Sequence, residues 1–173
     1  MEFLDQFKIH NACTKPTRVP RFIRWIKPPP SSLLLSCDGA NGQAGCNRRV
    51  GGVIRDSTSN FIWGFADQGP TGLDVLATEC AAIHMGLLKA TELEISDFLV
   101  ASDSQEVLAL LKGDGELWSN LGNIVDDIRR LLVQLCVSDV LFQPRLGNRV
   151  AHSLAQFGLL EQHPSFWTGL APD

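Results

Sequence analysis

The spacing of apolar and polar residues changes period several times along the chain, and each change marks an element. Leu33 to Cys37 is a short apolar run ending at Asp38-Gly39, the pattern of a buried strand with a turn behind it. Asn41 to Asn47 is rich in Gly and Asn and reads as a loop. Val50 to Arg55 and Phe61 to Ala66 are two further strands, and the polar stretch Asp56 to Asn60 suits a hairpin between them. The period then lengthens. Leu76, Glu79, Cys80, Ile83, Leu87 and Leu88 recur at steps of three and four, predicting a helix over 74–90. Phe98 to Ala101 is a buried strand ending at Ser102-Asp103. Ser104 to Leu111 reads as a short helix closed by Gly113 and Gly115. Ile124, Ile128, Leu131, Leu132 and Leu135 trace another helical stripe. Val137 to Gln143 is a fifth strand, and Asn148 reads as the N-cap of a final helix reaching about Leu160.

The order is three strands, helix, strand, two helices, strand, helix. A helix between the third and fourth strands makes a crossover, which places the fourth strand parallel to the first. The expected architecture is α/β, with a mixed five-stranded sheet, three strands antiparallel and then two parallel, flanked by helices. The 173 residues suffice for one well-buried core. Lys27-Pro28-Pro29-Pro30 cannot continue a helix or fill a central strand, so the expected division is a basic, Pro-rich leader over 1–30, a domain over 31–162 and a tail over 163–173.

Composition narrows the class. At 45% hydrophobic and 20% charged residues the chain is that of an ordinary globular protein. Its longest apolar runs are a few residues, too short for a membrane span, and its N-terminus lacks a signal-peptide pattern. A soluble intracellular monomer is expected, with nucleus and cytoplasm both open. Five single cysteines, with no paired or His-flanked spacing, argue against zinc and against a disulfide framework. The net charge of −4 hides an asymmetry: residues 1–30 carry six basic against two acidic residues, leaving the remainder at −8. The leader reads as a solvated linker or as a source of phosphate contacts. An acidic body is awkward for a phosphate binder unless some of its acids hold cations.

Asp38 and Asp103 end two strands expected to be parallel neighbours, which brings their carboxylates about 5 Å apart across the ladder. Glu79 lies on the apolar side of its helix, where a carboxylate is costly to bury alone. A shared divalent ion neutralises all three, and Mg²⁺ takes such oxygen ligands. The plainer alternatives are a turn-forming or capping Asp and a Glu reaching to water.

Five segments in order bear on that choice: Cys37-Asp38-Gly39-Ala40, Val50 to Asp56, Thr78-Glu79-Cys80-Ala81-Ala82, Ala101-Ser102-Asp103-Ser104-Gln105, and Asn148-Arg149-Val150-Ala151-His152-Ser153-Leu154-Ala155. Together they resemble the ordered motifs of type 1 ribonucleases H, most closely the plant branch related to retrotransposon polyproteins. Trp25 with Pro28-Pro29 resembles the W-x-x-P-P leader of that branch, and Phe166-Trp167 to Pro172 resembles its tail. The resemblance implies the ribonuclease H-like fold and cleavage of the RNA strand of RNA–DNA hybrids with two Mg²⁺ ions. By the same carry-over Asp38 bridges both ions, Glu79 sits beside the attacking water or a substrate 2′-hydroxyl, and Asp103 completes the pair. Gly39, Ala40, Ser104 and Asn148 fall on the substrate face, where 2′-hydroxyls distinguish RNA from DNA.

The match departs from the family at the fourth acid, whose position is His152. As a metal ligand, a neutral imidazole removes one negative charge, which weakens Mg²⁺ and favours Mn²⁺; as a bystander it simply occupies a helix position. Arg145, in the loop before that helix, reads equally as a phosphate contact or a solvated side chain. That loop lacks the histidine many relatives carry, and a basic protrusion between Gly113 and Asp126 is missing. His84 reads as helix packing and Trp63 as an ordinary strand aromatic. Three functions stay in play. A metal-dependent hybrid endonuclease is favoured by Asp38, Glu79 and Asp103 together. A catalytically inactive nucleic-acid or protein-binding module is favoured by His152 and the acidic body. A nucleotide-binding α/β domain lacks any glycine-rich phosphate loop.

Overall fold

The computed structural model describes residues 25–42, 47–71, 74–113, 120–161 and 163–170. Residues 1–24 of the expected 1–30 leader and Gly115 lie outside them, as do Cys46 and part of the segment between Gly113 and Asp126. The elements are β1 (Leu33–Asn41), β2 (Arg48–Asp56), β3 (Phe61–Gln68), α1 (Val75–Glu92), β4 (Phe98–Ser102), α2 (Gln105–Lys112), α3 (Asn120–Gln134), β5 (Val140–Phe142), α4 (Arg149–Leu160) and β6 (Ser165–Thr168). They form one mixed sheet in the order β5-β4-β1-β2-β3-β6. β1 and β4 are parallel neighbours, as the crossover requires, and β1, β2 and β3 form an antiparallel meander.

The sheet has six strands rather than the five expected. Residues 165–168, read as part of a tail, pair antiparallel with β3. Their aromatics stack on neighbouring elements, Phe166 on Trp63 at 5.9 Å and Trp167 edge-on to Phe157 at 5.5 Å. Four residues are too short to show a period, which is why the segment does not read as a strand.

Local chemistry fixes the element ends. The Asp56 carboxylate accepts from the backbone of Thr58 and Asn60 and from the Thr58 hydroxyl, closing the expected β2–β3 hairpin. Asp74 caps α1 by accepting from the Ala77 N–H at 2.8 Å. β5 starts three residues later than expected because Val137 is still tied to the end of α3, its N–H bonding the Leu132 carbonyl.

β1 is longer than expected and runs straight through Asp38-Gly39 to Asn41, with Asp38 paired opposite Gly51 of β2. Strand alternation then sorts the faces. Leu35, Cys37, Val50, Ile54 and Phe65 join Cys80, Ile83 and Leu87 of α1 in the main core. On the other face α4 crosses β1, β2 and β3. A smaller cluster, Leu34, Leu99 and Ala101, is covered by Trp25 and Leu141. Residues 25–30, read as the end of a leader, are thus strapped across the sheet: Arg55 lies 3.9 Å from the Trp25 ring centroid, and the Ile26 N–H bonds Gln143 Oε1 at 2.8 Å.

Candidate metal centre

The β1–β4 register ends at Ser36 opposite Ala101. Two residues further along each strand stand Asp38 and Asp103, so parallel pairing brings both carboxylates to one end of the sheet. Glu79 arrives from α1 and is anchored by the Gly39 N–H, 3.1 Å from Oε2. Ligand oxygens of Asp38, Glu79 and Asp103 all lie within 4.8 Å of one another. This convergence of three acids, expected from sequence, is what the backbone produces.

The cluster is dry. Asp38 is fully buried, and its Oδ1 has no hydrogen-bond partner. Burial, then the Asp103 charge, raise the Asp38 carboxyl above its ordinary range against the opposing hydrogen bond from His152. Burial, followed by the charges of Asp38 and Asp103, pushes Glu79 up to about 8. Each carboxylate makes its neighbours harder to ionise, and a cation among them reverses that. The donors fit a hard divalent ion: three carboxylates, one with a buried orphan oxygen, from two strands and a helix. Cys37 and Cys80 adjoin Asp38 and Glu79 in sequence but belong to the main core. Burial pushes both thiols up, Cys80 to about 12, so neither supplies a thiolate.

His152 stands outside the three-carboxylate set. Its Nδ1 lies 2.6 Å from Asp38 Oδ2, where a ring N–H donates to the carboxylate. With Nδ1 donating to Asp38, the ring nitrogen left to accept from Arg145 is Nε2, 3.4 Å from Nη2, and Nη1 donates to Asp103 Oδ2 at 3.2 Å. The four side chains form a continuous row, Asp103–Arg145–His152–Asp38.

The other substrate-face candidates are largely committed elsewhere. Asn148 stands at the N-cap position of α4 without capping it; fully buried, it donates to the Cys37 carbonyl at 2.9 Å and ties α4 to β1. Ser104 caps α2 by accepting from the Val107 N–H. Ala40 is buried and Gly39 half-buried. Of the five, Arg145 alone presents an exposed polar side chain, at the rim of a cavity of about 450 Å³ also lined by Glu79, Asp103, Ser104 and Phe142. Sequence reasoning misses Gln143. Fully buried, it holds the strap through Ile26, and its own N–H bonds the Ser102 carbonyl beside Asp103. Nothing in a Gln before a Pro announces that role. His84 is half-buried on α1, 4.0 Å from Asp127. Trp63 is buried within β3.

A mixed sheet of this order with a carboxylate cluster at the β1–β4 end defines a ribonuclease H-like domain. The sequence profile of the family described as reverse transcriptase-like matches residues 36–158, and the chain belongs to that family as a type 1 ribonuclease H-like domain. Solved structures share the fold. Ribonuclease H1 of the halophilic archaeon Halobacterium salinarum superposes with a TM-score of 0.65 at 23% identity, covering 74% of this chain and 97% of its own. A ribonuclease H1 isolated from compost by a metagenomic approach gives 0.63 at 17% identity, covering 73% and 94%. The same enzyme in complex with an RNA/DNA hybrid gives 0.60 at 18% identity, covering 71% and 93%. No curated protein matches the chain significantly. No described helix is long and apolar enough to cross a membrane.

Proposed function

We propose that this chain hydrolyses the RNA strand of RNA–DNA hybrids endonucleolytically, with a divalent cation held by Asp38, Glu79 and Asp103. The observation that carries this reading is the meeting of three carboxylates within 4.8 Å around an unpartnered, buried oxygen of Asp38. The similarity to a ribonuclease H1 solved with an RNA/DNA hybrid supports the choice of substrate. A bound ion supplies an activated water and charge neutralisation at the scissile phosphate. The protein's own residues do the rest. Gly39 orients Glu79 through its N–H, and Asn148 holds the β1 backbone beside Asp38. The backbone at Gly39 and Ala40 and the start of α2 at Ser104 face the substrate's sugars, while Arg145 offers a second cationic centre for a phosphate oxygen. An all-carboxylate set selects Mg²⁺, and Mn²⁺ serves as well. The protein acts as an intracellular monomer, in keeping with a retrotransposon-related hybrid nuclease, and residues 31–162 form its catalytic unit.

The test is cleavage of a labelled hybrid in Mg²⁺ and in Mn²⁺, with Asp103→Asn alongside. Cleavage lost in the variant, with circular dichroism unchanged, is the expected result. The second reading, an inactive binding module, draws on His152 at the fourth-acid position and its bond to Asp38. It predicts hybrid retention on a gel without cleavage in either metal.

A further inference from the structure

The metal centre has a cation of its own. Arg145 Nη1 is 3.2 Å from Asp103 Oδ2, a carboxylate only 7% exposed. Its Nη2 lies 3.4 Å from His152 Nε2, and the other ring nitrogen, Nδ1, donates to Asp38 Oδ2 at 2.6 Å. One oxygen of each aspartate is therefore engaged by the Arg145–His152 pair, while the unpartnered Asp38 Oδ1 is left for a metal.

Charge counting points the same way. Ionised around a bound ion, the three carboxylates would carry −3. One divalent ion and a guanidinium, which stays protonated at any ordinary pH, bring the cluster to neutrality. A second divalent ion would leave a net charge of at least +2 beside buried Asp38, with no fourth carboxylate at position 152 to offset it. To bind through the second oxygens of both aspartates it would also have to displace Arg145 from Asp103 Oδ2 and His152 from Asp38 Oδ2.

We infer that this site holds a single divalent ion and that Arg145 serves as its second cationic centre, positioned by His152. The guanidinium fork matches two oxygens of a phosphate. His152 is a positioning residue: it orients Asp38 on one side and the guanidinium on the other, and does not ligate the ion. The substrate part of the inference rests on the hydrolase reading; the metal count does not.

The test begins with Mn²⁺ alone, titrated into the full chain without nucleic acid and followed by electron paramagnetic resonance and calorimetry. One ion per chain is expected for the wild type. The double variant His152→Asp/Arg145→Ala is expected to take two, because it adds a carboxylate and removes the resident cation. His152→Asn, which can still donate to Asp38, should keep the count at one. Near-UV circular dichroism of each metal-free variant checks that the fold is retained. Two ions bound by the wild type, one ion in both wild type and double variant, or none at all would each overturn the inference. Hybrid cleavage then tests the guanidinium: Arg145→Ala is expected to lower kcat about 100-fold, the scale for losing one preorganised charge-stabilising donor, with Arg145→Lys recovering part of it. Unchanged kcat in Arg145→Ala would refute that role. A wild type that binds one ion yet cleaves nothing would remove the hydrolase reading while leaving the metal count standing.

Discussion

Gly51 sits directly opposite Asp38 on the β1–β2 ladder, and α4 crosses the strand at that point. A methyl group added there would lie 2.3 Å from the Ala155 amide nitrogen, 2.8 Å from the Leu154 carbonyl carbon and 2.9 Å from the Ala155 Cα. All three are backbone atoms of one helix turn, so no side chain can swing aside. Ordinary contact begins at 3.4 Å, and α4 would have to lift by roughly 1 Å, forfeiting part of its dispersion contacts with the sheet. Ala151, Leu154 and Ala155 are buried beneath it, which blocks relief by rotation. Overpacking of this kind costs about 1–3 kcal/mol, and a backbone clash belongs at the upper end. Replacing a strand glycine returns about 0.5–1 kcal/mol, so Gly51→Ala should lose about 2 kcal/mol. With a urea m-value of about 2 kcal/mol/M the midpoint falls by about 1 M, and the melting temperature by roughly 4–8 °C. Lifting α4 also draws His152 from Asp38, so Mn²⁺ affinity should change along with stability. Gly113→Ala is the control: its φ of −80° suits any residue, and the added methyl meets the Ala109 carbonyl oxygen at 3.1 Å and the Leu110 carbonyl oxygen at 3.8 Å. A Gly51→Ala midpoint no lower than that of Gly113→Ala would refute the packing argument.

The Glu79 carboxyl is raised from 4.5 to about 8 by burial and by its acidic neighbours. A raised carboxyl contributes stability that is full below pH 4.5 and is lost as pH climbs through 8. Urea midpoints of the metal-free protein should therefore fall between pH 5 and pH 8, and Glu79→Gln should flatten the fall; an equal slope in both proteins would count against that ionisation. Trp25, with Leu141, covers Leu34, Leu99 and Ala101, and its ring stacks on Arg55. Being only partly buried, it should cost about 2 kcal/mol on replacement by Ala, below the range for fully buried aromatics, with Trp25→Phe recovering about half. Equal denaturation curves for wild type and Trp25→Ala would show that the strap is no part of the folded unit.

What could be read from the sequence divides along the range of the forces involved. Asp38 and Asp103 end runs of apolar residues that must be buried, and parallel pairing of two such runs leaves the carboxylates little choice of place. Glu79 follows from helical period alone. These are consequences of backbone geometry, which a periodic pattern encodes locally. β6 escaped notice because four residues carry no period, and the strap because a Pro-rich stretch looks the same whether it is solvated or laid across a sheet. The side-chain contacts within the candidate metal centre are of another kind. His152 meets Asp38 across 114 residues of chain, and Arg145 meets Asp103 across 42. No local pattern records either pairing. Arg145 reads equally as a phosphate contact or a solvated side chain until it is found beside Asp103, and His152 equally as a ligand or a bystander until it is placed against Asp38. A histidine in place of a carboxylate at position 152 and the guanidinium of Arg145 shift the cluster's charge in the same direction, by two units together, which is the charge of one divalent ion. On the single-ion inference, a change that looks like decay in the sequence acts together with the arginine seven residues earlier to stand in for that ion.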